Sequence, residues 1–182
     1  MDEKQAIQRL KNGDIGGLEY LVTNYQLKAI RAAFLITRDP GLAEDIVHDA
    51  FLHAYYAIER FDATRPFGPW FLRSVVNASV KTMQRAARQV EIDADEIVFA
   101  DLARRVESVE SQIESIEVQD QIWAALQELS PRQRAVIVQR YFLGMSESEM
   151  ADQSDTATGT IKWLLNAARE RLRELLAERS ER

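Results

Sequence analysis

Apolar residues recur along most of this chain at the spacing of amphipathic helices. Leu18, Leu21, Val22 and Tyr25 follow the i, i+3, i+4, i+7 pattern, which places their side chains on one face of an α-helix. The pattern continues past residue 30 and stops at residues 38–41, where Arg-Asp-Pro-Gly is a turn sequence. The sequence therefore predicts a first helix with one buried face.

Two further helices are predicted in the first half of the chain. One runs from about residue 42 to about residue 61, and the other begins near Trp70, after a break at residues 65–69 that contains proline and glycine. We expect the three helices to form a small domain over residues 1–88. The predicted apolar stripes are Ile46, Val47, Ala50, Ala54 and Ile58 in the second helix, and Leu72, Val75, Val76, Val80 and Met83 in the third.

The second half predicts another helical domain, over residues 117–182. Ser130 is suited to be an N-cap and Pro131 a first helical residue, so two helices meet there. Ser146 and Glu149 have the spacing of a capping box, which predicts a short helix, and a long last helix follows from about 157 to about 178. The apolar stripes before Ser146 are Ile122, Trp123, Leu126 and Leu129, then Ala135, Val136, Val138 and Tyr141.

Residues 89–116 are rich in acidic residues and serine, and we predict that they form a linker. The predicted fold is therefore all-α, with two small helical domains joined by an acidic linker.

Composition narrows the classes of function. The 182 residues include no cysteine and only two histidines, so neither disulfides nor thiolate or histidine metal sites are expected. The N-terminus is acidic where a signal peptide is basic, and no apolar run approaches the roughly 18 residues that span a bilayer. No nucleophile–base pair supports a hydrolase. We expect a cytoplasmic, non-enzymatic protein with no cofactor, no metal and no membrane contact of its own.

Charge is unevenly distributed behind a net charge of −6. Residues 60–90 carry six basic side chains and one acidic side chain, a net charge of +5. Residues 91–120 carry ten acidic and two basic side chains, a net charge of −8. The overall charge therefore hides a basic segment, which suits a nucleic-acid partner, beside an acidic one.

The basic segment includes a polar face on the third predicted helix, opposite its apolar stripe. Such a face is suited to lie along a phosphate backbone, and the Asn77 amide is suited to read a base edge. The alternative is that this face is only solvated. The residues of the face follow one another at intervals of four, four, four and three: Arg73, Asn77, Lys81, Arg85 and Arg88.

Aromatic residues are interleaved with basic residues just before this face. Exposed rings beside basic side chains stack on unpaired nucleotides, each contributing roughly 1–3 kcal/mol. The alternative is that these aromatic residues belong to the core. The rings are Phe61, Phe67, Trp70 and Phe71, and the neighbouring basic residues are Arg60 and Arg65.

An acidic stripe lies on the second predicted helix. Glu44, His48 and Leu52 line one edge, and Asp45 and Asp49 form a like-charged i, i+4 pair beside them. Such a pair costs an isolated helix a few tenths of a kcal/mol, so the stripe is suited to a basic partner surface. A solvated acidic face is the alternative.

A helix-turn-helix pattern lies near the end of the chain. The short helix 146–153, a tight turn and a helix that opens near Thr158 have the required order. Thr158, Thr160 and Lys162 lie near the N-terminus of the second helix, where they would donate to phosphates or base edges. An ordinary helical hairpin fits the same pattern.

Four motifs in order resemble the extracytoplasmic-function (ECF) type of RNA polymerase sigma factor in the sigma-70 family. AEDIVHDAFL at 43–52 resembles the segment that docks on the polymerase clamp helices. FGPWFLRSVVN at 67–77 is similar to F-x-x-W-L-x-R-I-A-x-N, which enters the helix that reads the minus-ten element. LSPRQR at 129–134 resembles L-P-x-x-x-R, and EMA at 149–151 with GTIK at 159–162 resembles E-I-A…G-T-V-K. The resemblance covers nearly the whole chain.

This resemblance implies a role for each segment. The first domain would bind the clamp helices and recognise and melt the minus-ten element, and the residue 60–67 loop would hold a flipped-out base. The linker would thread the polymerase cleft, and the second domain would rest on the flap and read the minus-thirty-five element. An anti-sigma factor is a further implied partner. The polymerase-binding set is Glu44, Asp45, His48, Asp49, Phe51 and Leu52. The minus-ten set is Arg60, Phe61, Arg65, Phe67, Trp70, Arg73, Asn77, Lys81, Arg85 and Arg88.

The last helix departs from the family pattern. Two positions that are usually basic are Leu164 and Ala167, Trp163 is bulky where the family is small, and Asp155 replaces the turn glycine. Because each lost phosphate contact weakens electrostatic binding, we expect weak or atypical reading of the minus-thirty-five element. The remaining minus-thirty-five candidates are Thr158, Thr160, Lys162, Trp163, Asn166 and Arg169.

Two other functions fit part of the pattern. A sigma-like mimic that titrates an anti-sigma factor is favoured by the depleted last helix. A helix-turn-helix repressor would account for the second domain but not for the acidic stripe.

Overall fold

A computed structural model of the protein describes residues 1–89 and 121–180, and every regular element in these ranges is helical. The predicted linker lies almost entirely outside the described residues. In the same two ranges, no helix is long and apolar enough to cross a membrane, and no cluster of acidic and histidine side chains is suited to hold a metal. The all-α prediction is confirmed.

The first domain contains four α-helices around one apolar core. Phe67, Phe71, Ile7 and Leu21 are among its most deeply buried side chains. The loop of residues 61–66, called here the α3–α4 loop, follows a short 3-10 turn and leads into the fourth helix. The helices are α1 (Glu3–Lys11), α2 (Gly16–Thr37), α3 (Pro40–Ala57, followed by the 3-10 turn Ile58–Arg60) and α4 (Phe67–Gln89).

Local sequence signals explain where these helices begin and end. Asp2 and Gln5 form a capping box that starts α1, and Asp39 caps α3. Arg38 ends α2 in the left-handed conformation, with φ 66°. Gly17 lies where α2 crosses α1, and an added Cβ would approach the Ala6 carbonyl oxygen to 2.2 Å, so only glycine permits this packing.

The second domain contains the remaining helices around a separate core. Ser130 and Ser146 are N-caps and Ser146 forms a capping box with Glu149, as the sequence predicts; Ser130 also forms a capping box, with Gln133. Asp155 adopts the left-handed conformation, with φ 49° and ψ 47°, between the last two helices. The elements are α5 (residues 121–128), α6 (Pro131–Ile137), a π-helical turn (Val138–Phe142), α7 (Glu147–Ser154) and α8 (Thr158–Ser180).

Some local predictions are wrong. The sequence does not predict α1. Helix α4 begins at Phe67, inside the stretch 65–69 that the sequence predicts to be a break before this helix. Tyr141 continues a predicted apolar stripe, yet its side chain is 62% exposed. The π-helical turn adds a residue to the helical repeat, and this extra residue rotates Tyr141 away from the core. Ile122 is 41% exposed, and nothing in the described residues accounts for it.

The two domains are in contact. The rings of Phe34 and Trp123 stack with centroids 5.0 Å apart. An apolar cluster with residues from both domains also joins the two domains. At the edge, Arg38 donates to the Gln127 carbonyl at 2.7 Å. The cluster contains Ala32, Ile36 and Val76 from the first domain and Ala135 and Val138 from the second.

Arg134 lies at the centre of this contact and is 3% exposed. Its guanidinium donates to the carbonyls of Leu126 and Leu129 in its own domain, at 2.9 and 2.8 Å, and to the Ile36 carbonyl at the end of α2. Burial lowers the pKa of Arg134 to about 10, so the side chain remains charged at neutral pH. Backbone carbonyls at helix ends, which carry partial negative charge, thus accept hydrogen bonds from a buried cation and stabilise it.

Candidate polymerase and nucleic-acid interfaces

The polar face of α4 is open to solvent. Asn77, Lys81 and Arg85 are exposed and Arg73 is half-buried, and these four residues are called the α4 basic face. The opposite side of α4 buries Val75 and Val76 in apolar clusters, which fixes the rotation of the helix. The Arg88 side chain lies outside the described residues. The predicted ridge is thus formed by at least four side chains on one rigid helix.

The prediction of exposed rings beside this face is wrong for Phe61, Phe67 and Phe71. Phe61 is 6% exposed and Phe67 is fully buried, as is Phe71. Because α4 begins at Phe67, positions 67 and 71 are one turn apart on the inner side, and their rings stack at 5.4 Å. Only Trp70 is partly exposed, and it packs on Phe61 at 4.8 Å.

The α3–α4 loop is ordered by its own side chains. Asp62 accepts hydrogen bonds from the Thr64 backbone N–H, at 3.0 Å, and from the Thr64 hydroxyl, at 2.7 Å. These bonds lower the pKa of Asp62, and the turn resembles the Asx turns that fix tight loops. Arg60 and Arg65 are exposed at the two ends of this turn. The loop therefore presents Arg65 on an ordered backbone, and the 3-10 turn just before it presents Arg60.

The ends of the α3–α4 loop are also bonded to α1. Lys11 Nζ donates to the Phe61 carbonyl at 2.6 Å, and the Phe67 backbone N–H donates to Glu3 Oε1 at 2.9 Å. Tyr25 donates to the other oxygen of Glu3. The sequence does not identify Glu3, Lys11 or Tyr25 as site residues, because it does not predict α1. The Asp2–Gln5 capping box, followed by Ile7 and Leu10, was the available signal.

The acidic stripe of α3 forms an exposed surface. Glu44, Asp45, His48 and Asp49 are exposed, and none of them forms an ion pair within the described residues. The fifth polymerase-binding candidate, Phe51, is 7% exposed, and its ring packs on the Phe71 ring with centroids 4.3 Å apart. Leu52 is 41% exposed and adds an apolar edge. Phe51 therefore supports this surface from the core and does not form part of it.

The turn between α7 and α8 has helix-turn-helix geometry. Asp155 takes the left-handed conformation that glycine usually supplies, so its replacement of glycine leaves the turn intact. Ile161 is 4% exposed and anchors the first turn of α8 in the core. Thr158, Thr160 and Lys162 project from the same turns into solvent.

Polar side chains further along α8 form a small network. Arg169 Nε donates to the Tyr141 hydroxyl at 2.8 Å, and Arg169 Nη1 donates to Asn166 Oδ1 at 3.2 Å. Trp163 is 69% exposed beside them, whereas Leu164 is half-buried. Tyr141 was not identified as a site residue from the sequence, because it was assigned to the core.

Sigma-70 family models match both domains. The sigma-70 region 2 model matches residues 21–89, and the sigma-70 region 4 model matches residues 119–172. The first match includes the acidic stripe and the α4 basic face but not α1. The second includes the helix-turn-helix.

Curated relatives match over nearly their whole length. The ECF RNA polymerase sigma factor SigW of Bacillus subtilis is 26% identical over 96% of this chain and 97% of the relative. The ECF RNA polymerase sigma-E factor of Escherichia coli K12 is 25% identical over 93% of this chain and 92% of the relative.

Solved structures show the same fold. The sigma factor RpoE from Bartonella quintana, in complex with the anti-sigma factor NepR, has a TM-score of 0.65 and 25% identity over 87% of this chain and 94% of that one. CnrH in complex with the cytosolic domain of CnrY has a TM-score of 0.66 and 24% identity, over 97% of this chain and 99% of CnrH.

The fold and the exposed surfaces thus define a two-domain helical DNA-binding protein. The chain belongs to the sigma-70 family, among the ECF RNA polymerase sigma factors.

Proposed function

We propose that this protein binds core RNA polymerase and directs it to start transcription at a restricted set of promoters. One observation carries the proposal: the same domain presents two different charged surfaces. The acidic surface on α3 forms no ion pair within the described residues, and the α4 basic face lies on the same domain. The first surface suits a basic protein partner and the second suits DNA. The polymerase supplies the chemistry, so the chain acts as a cytoplasmic initiation factor and not as an enzyme.

Polymerase binding is assigned to α3. Glu44, Asp45, His48 and Asp49 would contact the clamp helices, and Leu52 would add an apolar contact at the edge. Charge complementarity of this kind contributes mainly to specificity and to the association rate. Phe51 would hold the surface rigid from beneath.

Minus-ten recognition is assigned to the α4 basic face and the α3–α4 loop. Asn77 carries a donor and an acceptor at an exposed position, so it can discriminate between bases, whereas Lys81 and Arg85 would contact phosphates. Arg60 and Arg65 would surround a flipped-out base, with Trp70 as the partly exposed ring. The burial of Phe61 and Phe67 argues against stacking by these two residues.

Minus-thirty-five recognition is assigned to α8. Thr158, Thr160 and Lys162 at its N-terminus would contact phosphates or base edges, followed by Trp163, Asn166 and Arg169. Leu164 and Ala167 supply no charge, so this helix would bind weakly. The assigned domains are residues 1–88 and 117–182, and the linker 89–116 would thread the polymerase cleft.

An anti-sigma factor is the remaining proposed partner. The solved relative from Bartonella quintana was determined in complex with one. No comparison favours a mimic that acts only by titrating such a factor.

Run-off transcription tests the proposal. The purified chain is added to core polymerase with a library of promoter fragments, and we expect transcripts that start at defined sites. A variant with Asp45→Lys and Asp49→Lys should lose polymerase binding and all product, whereas the control Glu19→Lys/Glu170→Lys, at exposed positions elsewhere, should retain both. Tight polymerase binding without any defined product would contradict promoter recognition and favour the mimic.

A further inference from the structure

Helix α1 contacts both ends of the α3–α4 loop. The Lys11 ammonium binds the Phe61 carbonyl, where the loop starts, and the Glu3 carboxylate binds the Phe67 amide, where the loop enters α4. Glu3, Ile7 and Lys11 are successive residues of one i, i+4 row. Ile7 is 1% exposed, so the residue between the two polar contacts is fixed in the core.

The Glu3 contact serves as a helix cap supplied by another helix. The Phe67 N–H is the first amide of α4 and has no acceptor within that helix. A carboxylate at this position also interacts favourably with the positive end of the helix dipole. Glu3 therefore fixes the start of the helix that carries Asn77.

Tyr25 and Gly68 complete the contact. The Tyr25 hydroxyl donates to Glu3, and burial together with this hydrogen bond raises the pKa of Tyr25, so the phenol remains a donor. An added Cβ on Gly68 would lie 2.7 Å from Tyr25 Cε1, which shows how closely the ring covers the first turn of α4. The side chains of α1 and α2 thus hold the N-terminus of α4 from the side of the core.

We propose that α1 is a positioning element for minus-ten recognition, with Glu3 and Lys11 holding the α3–α4 loop in its DNA-binding geometry. The inference rests on the proposed function, and it concerns a helix that lies outside the residues matched by the region 2 model. The loop carries Arg65 and lies between Arg60 and Trp70, so both of its ends affect where these side chains point. If a loop is already ordered before DNA binds, binding does not carry the entropic cost of ordering that loop.

The first test is amide hydrogen exchange on the full-length chain. Glu3→Ala and Lys11→Met each remove one contact, and we expect faster exchange at residues 61–68 with unchanged exchange in α3 and α8. Glu3→Gln keeps an acceptor for the Phe67 amide and should restore slow exchange. Unchanged exchange in both Glu3→Ala and Lys11→Met would overturn the inference, and so would an equal increase throughout the chain.

The second test measures DNA binding by the holoenzyme. The probe is a forked DNA whose minus-ten region is single-stranded, taken from a fragment that the wild-type protein selects in run-off transcription. Glu3→Ala and Lys11→Met should each weaken binding about tenfold, the scale of one hydrogen bond to a charged group. Glu3→Gln should remain within about twofold of wild type, and the controls Glu19→Ala and Lys28→Met, at exposed positions of α2, should not change it.

These outcomes separate the inference from the proposed function. If Glu3→Ala and Lys11→Met bind the fork as tightly as wild type, the inference fails and the proposed function stands. If the wild-type protein selects no fragment, the proposed function fails, and the role in DNA recognition fails with it. If Glu3→Ala does not fold, Lys11→Met carries both tests, because it removes a bond to a loop carbonyl and leaves the buried Ile7 anchor intact.

Discussion

The two helices assigned to DNA differ in how free their polar groups are. On α4, Lys81 and Arg85 are exposed and form no ion pair within the described residues. On α8, Arg169 is already bonded to Tyr141 and Asn166. The first helix thus offers free charge along its basic face, whereas at Arg169 the second offers a preformed hydrogen-bond network. Under the proposed function, we therefore expect the α4 basic face to contribute more to electrostatic binding of DNA than Arg169 does.

Replacing the central residue of the α4 basic face should have the largest effect. Asn77→Ala removes the only uncharged polar member of the face, and loss of a base-reading amide costs about 1–3 kcal/mol, or roughly 5- to 150-fold. We expect loss of promoter opening, measured by permanganate reactivity of unpaired thymines, with unchanged affinity for core polymerase. Opening at the wild-type level would remove Asn77 from base recognition and weaken the contrast between the helices.

Neutralising the cations of α4 should reduce the salt dependence of binding. In Lys81→Ala/Arg85→Ala, the slope of log affinity against log salt should fall by about 1.4 for a single-stranded probe, since each contact contributes about 0.7. The measurement is a fluorescence-anisotropy titration of the holoenzyme at several salt concentrations. Lys28→Ala/Arg173→Ala, at exposed positions outside the face, is the control. An equal fall in the control would mean that the slope reports overall charge.

Adding a cation to α8 should make it more like α4. Ala167→Arg restores a basic position of the family pattern, and the salt slope for duplex minus-thirty-five DNA should increase by about 0.9. Ala177→Arg adds the same charge at an exposed position further along α8 and should have a smaller effect. If the two variants give the same slope, position 167 does not lie against a phosphate.

The smallest expected effect concerns the α8 network. Tyr141→Phe removes the hydroxyl that accepts the Arg169 hydrogen bond but keeps the ring, which lies 5.7 Å from the guanidinium carbon. Because this bond is exposed, its loss should cost about 0.5 kcal/mol, which corresponds to roughly twofold weaker binding of duplex DNA. Tyr56→Phe, at the most exposed tyrosine of α3, is the control. A gain in affinity would show that Tyr141 withholds Arg169 from DNA.

Features of the fold that depend on local sequence are predictable, whereas those that depend on distant contacts are not. The caps at Ser130 and Ser146 follow from residue type and spacing. The burial of Phe67 does not, because it depends on the residue at which α4 begins, where the Phe67 amide is bonded to Glu3, sixty-four residues earlier in the chain. The α1 helix offers only a capping box and three apolar residues, a weak signal for a helix of nine residues.

The interdomain contact was also outside the reach of sequence patterns. Arg134 belongs to a family motif, yet nothing in its neighbours reveals that one of its acceptors is the Ile36 carbonyl. The same holds for Phe34 and Trp123, which satisfy the apolar stripes of their own helices.

The stacking of Phe34 on Trp123 has a consequence for how both promoter elements can be read at once. Elements centred near positions −10 and −35 are about 25 base pairs apart, or roughly 85 Å along straight duplex DNA. Under the proposed function, the two touching domains would have to move apart to reach both elements, and this separation would uncover the stacked faces of Phe34 and Trp123. The 31 residues between the described ranges have an extended reach of about 105 Å, which is long enough for the separation.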